Sequence, residues 1–229
     1  MNIKKVGKIL GGIAIGVGAV IALPVAGPVG AVSLVGALIG GGIGGVTGVV
    51  VDFFGKDSKA NKLGIIGMQA SGKTTFLNNL RGLEAVLNPT SRENFESFKF
   101  ELSNGKTIYI DKGNDIGGAK NYMVEYRQII EKNDIVLYFF NVSEYLTSID
   151  YKRECNSRLD HINGNIKNKK SAIIASHSDL SQHSKNKLIE EILNQVRDKK
   201  YSNLFNNAFF VVNLTKRNEV SDLMDKIFG

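Results

Sequence analysis

A single cysteine, Cys155, is present among 229 residues, so no internal disulfide can form and a reducing compartment is expected. It lies in the polar run Lys152-Arg153-Glu154-Cys155-Asn156, with no histidine close in sequence. That context argues against a catalytic thiol and for a helix-surface or half-buried side chain. His161, His177 and His183 show no metal-ligand spacing with it, so a zinc site is not supported. Acidic residues are in the minority, 22 against 29 lysines and arginines, for a formal charge of +7. The excess suits an anionic partner but does not choose between nucleic acid and a membrane surface. Charge is missing altogether from Ile9 to Val51. That run is about twice the ~20 residues a helix needs to span a bilayer.

Pro24, Gly27, Pro28 and Gly30 interrupt this apolar run near its middle, which predicts two helices, about 6–23 and 29–51, joined by a tight turn. Gly36, Gly40, Gly44 and Gly48 recur every four residues, and Gly12 and Gly16 do the same on the first arm. Small residues at that spacing let helices approach closely in lipid and self-associate. Lys4, Lys5 and Lys8 flank one end, and Lys56, Lys59 and Lys62 the other, which favours a hairpin with both ends in the cytoplasm. A secretory signal cut near residues 22–26 fits less well, because the apolar run continues far beyond it. A glycine-rich linker would be polar. A reversibly inserting, membrane-perturbing segment stays open. Residues 1–55 are therefore expected to form a membrane hairpin and residues 56–229 a second domain. The lipid bilayer is the expected partner of the basic chain, and no nucleic acid is expected.

Leu63-Gly64-Ile65-Ile66 reads as a short buried strand, and Thr75-Phe76-Leu77-Asn78-Asn79-Leu80 as the first turns of a helix. Between them, Gly67-Met68-Gln69-Ala70-Ser71-Gly72-Lys73-Thr74 fits G-x-x-x-x-G-K-[ST] at every fixed position, in the strand–loop–helix context that pattern requires. Glycines let the backbone wrap a polyphosphate, and the amides of the loop and helix start point at the anion. Gly67 through Thr75 would line the phosphates. Lys73 would reach the β- and γ-phosphates, and the Thr74 hydroxyl would ligate Mg²⁺.

Downstream, Phe95 to Leu102 reads as a strand, Asn104-Gly105 as a hairpin turn, and Thr107–Ile110 as the returning strand. Helix is predicted over 119–132, 144–163, 185–199 and 219–228. Buried strands are predicted over 135–142, 170–176 and 208–213. Strands alternating with helices, plus one antiparallel hairpin, predict an α/β sandwich of three layers around a mostly parallel sheet.

From about Lys62 onward, the order, the spacing and the phosphate loop resemble a small Ras/Arf-like GTPase of the P-loop class. The resemblance implies GTP or GDP with Mg²⁺, an unknown effector or activating protein, and a nucleotide-controlled switch. It places Thr90, or Ser91 beside it, as the switch threonine that binds Mg²⁺ and senses the γ-phosphate. It places Asp115, in Asp115-Ile116-Gly117-Gly118, on the Mg²⁺ side and the Gly118 amide on the γ-phosphate. Asp111 competes for that place, but Asn114 then stands where glycine is needed. Ala119 occupies the position where many members carry a water-orienting glutamine, so slow hydrolysis is implied. Guanine recognition falls to Ser176-His177-Ser178-Asp179, which departs from N-K-x-D, with Asn213 and Leu214 in a second base loop. Asp179 can also be read as a helix cap together with Ser181. An ATP-binding protein without guanine specificity and a nucleotide-regulated membrane effector are the alternatives.

Overall fold

The computed structural model describes residues 47–50, 62–83, 92–116, 123–166 and 169–228. In chain order these form β1 (Thr47–Val50), β2 (Leu63–Gly67), α1 (Lys73–Leu80), β3 (Arg92–Phe95), β4 (Phe98–Glu101), β5 (Thr107–Ile110), β6 (Gly113–Ile116), α2 (Met123–Lys132), β7 (Ile135–Asn141), α3 (Val142–Thr147), α4 (Ile149–Asn165), β8 (Lys170–Ser176), α5 (Lys185–Val196), α6 (Ser202–Asn207), β9 (Ala208–Val211) and α7 (Arg217–Phe228). A single 3-10 turn, Ser178–Leu180, separates β8 from α5.

The sheet order is β1-β9-β8-β7-β2-β6-β3. The pairs β2–β6, β2–β7, β7–β8 and β8–β9 are parallel, and the edges β1–β9 and β3–β6 are antiparallel. The central strands are apolar along their middles, 135–140 in β7 and 172–175 in β8, because both faces are covered. Along β7, Ile135, Leu137 and Phe139 join one core, with α1, α7 and the hairpin beneath them. Val136, Tyr138 and Phe140 join the other, under α2, α4, α5 and α6. The α/β class and the mostly parallel sheet are as the sequence predicts.

Three local expectations change. Thr47–Val50, read from sequence as the end of the second apolar helix, is a strand, with Gly48 opposite Phe210. β-branched Val49 and Val50 favour that conformation, and a four-residue glycine spacing alone does not enforce helix. These four residues of the 1–55 segment therefore belong to the sheet. The other glycine rows, and the rest of that segment, lie outside the described residues. The helix expected over 144–163 is two helices, because Ser148 is extended and caps α4 by accepting the Tyr151 N–H.

The strand expected over Phe95–Leu102 also divides. The hairpin keeps one register from Arg92↔Ile116 through Phe98↔Ile110 to Glu101↔Thr107, but Glu96–Ser97 and Asp111–Lys112 form a step without ladder bonds. The Asp111 carboxylate accepts the Lys112 N–H at 2.8 Å, a local bond that competes with the ladder. So β6, and not β5, is the strand that lies beside β2.

Candidate functional site

Gly67 ends β2 in a conformation open to glycine, φ +149°, and a Cβ there would lie 2.1 Å from the Phe139 carbonyl oxygen. The Met68 N–H donates to that same oxygen at 2.9 Å, so the chain leaves the sheet at one defined point. Ala70 and Gly72 are left-handed, at φ 51° and 80°, and curl the backbone into a concave loop. Gly72 begins α1 without any side-chain cap, and no acidic residue occupies the first turn. A helix start left uncapped by its own sequence, preceded by left-handed residues, is the form a phosphate group fits.

Inside the curl, Ser71 Oγ and Lys73 Nζ both donate to the Met68 carbonyl at 2.8 Å. Lys73 is thus buried and held across the loop. Gln69 and Ala70 are exposed at the rim, and Thr74 and Thr75 are half-buried on the first turn of α1.

Of the residues expected on the base side, Ser176, His177 and Leu214 lie against this loop. Ser176, fully buried at the end of β8, donates from Oγ to the Ser71 carbonyl at 2.9 Å. It also sits 3.0 Å from the Phe140 carbonyl and 2.7 Å from His177 Nδ1. A hydroxyl here ties the strand to the phosphate loop, although the sequence departs from asparagine. His177 is left-handed, φ 59°, a conformation rare for residues with a Cβ. Its imidazole is held below the ordinary value, first by burial, with Asp179 and Glu144 pulling it back up. Asp179 is exposed in the 3-10 turn. The cap of α5 is Ser184, which accepts the Lys187 N–H, so the capping role suggested for Asp179 and Ser181 is filled elsewhere.

The loop after β9, expected as the second base loop, packs on Gly72 at the start of α1. A Cβ on Gly72 would lie 2.7 Å from Leu214 Cδ1, and Asn79 Nδ2 of α1 donates to the Leu214 carbonyl at 2.8 Å. Asn213 Oδ1 accepts from the Thr215 N–H and hydroxyl, at 2.9 and 2.7 Å. Glu219, buried in the first turn of α7, accepts the Asn213 N–H at 2.7 Å and pairs with Lys185 Nζ at 2.6 Å. Sequence reading passed over Glu219, because an acidic residue in a first helical turn is ordinary.

On the other side of β2, β6 lies parallel to it with Asp115 opposite Ile65. Asp115 is therefore at the end of the sheet from which the phosphate loop leaves. Asp111 stands four residues earlier in the chain, in the step between β5 and β6 and outside the strand that pairs with β2. Thr90, Ser91 and Gly118 lie outside the described residues. Cys155 corrects an expectation. It is fully buried on α4, 3.5 Å from the Tyr138 hydroxyl, and burial pushes its thiol up to about 12. The face that carries it also carries Leu159 and Ile162 at helical spacing, so it points into the core.

Among the described residues, no helix is long and apolar enough to cross a membrane. No curated protein sequence matches the chain. The model of the ADP-ribosylation factor family matches residues 47–228, beginning at β1 and ending with α7. A match over most of the chain, on a sheet and phosphate loop of the same kind, carries one conclusion: the chain belongs to the ADP-ribosylation factor family, and is a small GTP-binding switch protein.

Proposed function

We propose that this protein is a membrane-associated GTP-binding switch that needs Mg²⁺ and hydrolyses GTP slowly, with its nucleotide domain facing the cytoplasm. The observation that carries the reading is the phosphate loop, with Lys73 drawn to the Met68 carbonyl and Ser176 bound to the Ser71 carbonyl. One site for phosphate and one strand end for the base are thereby held in a fixed relation. Thr74, Thr90 and Asp115 would hold Mg²⁺, which would neutralise charge on the β- and γ-phosphates when bound. The Thr74 position on α1 and the Asp115 position beside β2 fit that role. Asp179 would accept from the guanine edge, with His177 and Leu214 against the base and Asn213 shaping its loop.

Slow hydrolysis rests on Ala119, whose methyl group cannot orient an attacking water. Single-turnover hydrolysis of GTP tests this directly. Ala119→Gln should raise the rate, and an unchanged rate removes the explanation. Membrane association rests on the uncharged run from Ile9 to Val51 and its flanking lysines. Full-length protein should float with liposomes and resist extraction by high salt or alkaline pH. Complete release into the supernatant overturns the membrane claim. Leakage of those liposomes only in the presence of GTP would favour the membrane-perturbing effector instead.

A further inference from the structure

The first carbonyl of the phosphate loop is held by two buried side chains that the nucleotide chemistry does not itself call for. Tyr126, on α2, donates its hydroxyl to the Gly67 carbonyl at 2.9 Å. Arg158, on α4, donates from Nη1 to the same carbonyl at 3.1 Å and to the Tyr126 hydroxyl at 3.0 Å. Both side chains are 0 % exposed, and Arg158 is among the largest groups in the core. The phenol oxygen donates one hydrogen and accepts another, which uses both of its capacities. Glu154, four residues before Arg158 on the same helix, pairs with its other terminal nitrogen.

Stability alone is a weak reason for a guanidinium at this depth, because apolar side chains of similar volume commonly serve a core as well or better. Its target is more informative. The Gly67 carbonyl and the Met68 N–H belong to one peptide plane, and the N–H is fixed by Phe139 on the opposite side. That plane is therefore gripped at both ends, at a residue where any Cβ would collide with β7. The next carbonyl along, Met68, is the one that receives Lys73 Nζ and Ser71 Oγ. A rotation of the Gly67–Met68 plane would carry the Lys73 anchor with it.

We propose that Tyr126 and Arg158 are positioning residues for the nucleotide, which lock the first peptide plane of the phosphate loop and through it set the ammonium of Lys73. They also seat α2, the helix that follows the Asp115–Gly118 segment, against that same carbonyl. The loop and α2 thus share a hydrogen-bonded hinge, and loosening it speeds nucleotide release. This inference rests on the nucleotide-binding reading above.

The test is the dissociation rate of fluorescent GDP from the full-length protein in Mg²⁺, read beside thermal unfolding. Tyr126→Phe should release GDP roughly fivefold faster, the effect of one lost neutral hydrogen bond. Tyr138→Phe is the matched control. It deletes a phenol hydroxyl from the same core, but one whose neighbour is Cys155 Sγ. Its release rate should stay within about twofold of the wild type. Arg158→Lys should fall between the wild type and Arg158→Met, because an ammonium can restore one donor but not the fork. If Arg158→Met does not fold, Tyr126→Phe and Arg158→Lys decide the matter. Wild-type release rates in both of those variants overturn the proposal, as does equal acceleration by Tyr138→Phe. A wild-type protein that binds no GDP is a different result, which removes the nucleotide reading and this inference together.

Discussion

The two sides of the phosphate strand are built differently. On one side β2 pairs with β7 from Leu63↔Ile135 to Gly67↔Phe139, and β7 with β8 from Ile135↔Lys170 to Asn141↔Ser176. On the other, among the described residues, β2 meets β6 at Ile65↔Asp115. The phosphate loop and Ser176 stand at the ends of these long ladders. Asp115 hangs from a short strand in a stepped hairpin whose tip is tied to α7, where Ser103 donates to the Asp225 carboxylate and Lys106 Nζ to the Phe228 carbonyl. Under the proposed function, the longer ladders would carry the diphosphate and the short β2–β6 pairing the Mg²⁺ side, an arrangement that suits a switch which keeps GDP and responds to the third phosphate.

The largest effect that would sharpen this contrast comes from the phosphate loop itself. Lys73→Ala should weaken GDP binding by at least about 100-fold, the loss of a charge-assisted contact in a buried setting. Retained affinity in a fluorescent-GDP titration would break the phosphate-loop reading. Next in size, Phe139→Ala removes a fully buried ring that packs 5.1 Å from Phe76. Denaturant unfolding should show a loss of about 3–5 kcal/mol. Phe95→Ala on the hairpin deletes the same atoms near a sheet edge, where the site can collapse, and should sit at or below the low end of that range. Equal losses would contradict the contrast.

Glu219→Ala comes third. It removes the acceptor of the Asn213 N–H and the ion pair with Lys185, a cost of about 2 kcal/mol. GDP affinity should fall with it, because the loop that carries Leu214 is released. Stability lost with affinity unchanged would separate Glu219 from the site. Smallest is a pH effect at His177. Burial keeps its folded value below the ordinary one, so protonation favours the unfolded chain. That group leaves stability untouched above the ordinary imidazole value of about 6.5 and removes it as pH falls from there through the folded value. His177→Gln should flatten this acid limb, and an unchanged limb would assign it to other groups.

Much of this architecture is legible in the sequence, for identifiable reasons. β7 is apolar over 135–140 and β8 over 172–175 because two layers cover them, and Gly67 to Thr74 is a motif whose glycines answer to measurable clashes. What stayed hidden depends on partners distant in the chain. Tyr126 and Arg158 lie 59 and 91 residues from the Gly67 carbonyl they share. A tyrosine and an arginine on amphipathic helices carry no sign of that meeting. The strand at Thr47–Val50 was masked by a glycine spacing that imitates helix packing, and its partner β9 lies near the other end of the chain. Ser148 could be read as any helical serine until its extended backbone showed it to be the cap of α4.

The central claim is that residues 67–74 hold a guanine nucleotide by its phosphates. Equilibrium titration of full-length protein with fluorescent GDP and fluorescent ADP, with and without Mg²⁺, tests it most directly. Tight, magnesium-dependent GDP binding, much weaker ADP binding and the loss of both in Lys73→Ala are expected. Equal affinity for the two bases would remove the guanine assignment, and no binding of either would contradict the account at its root.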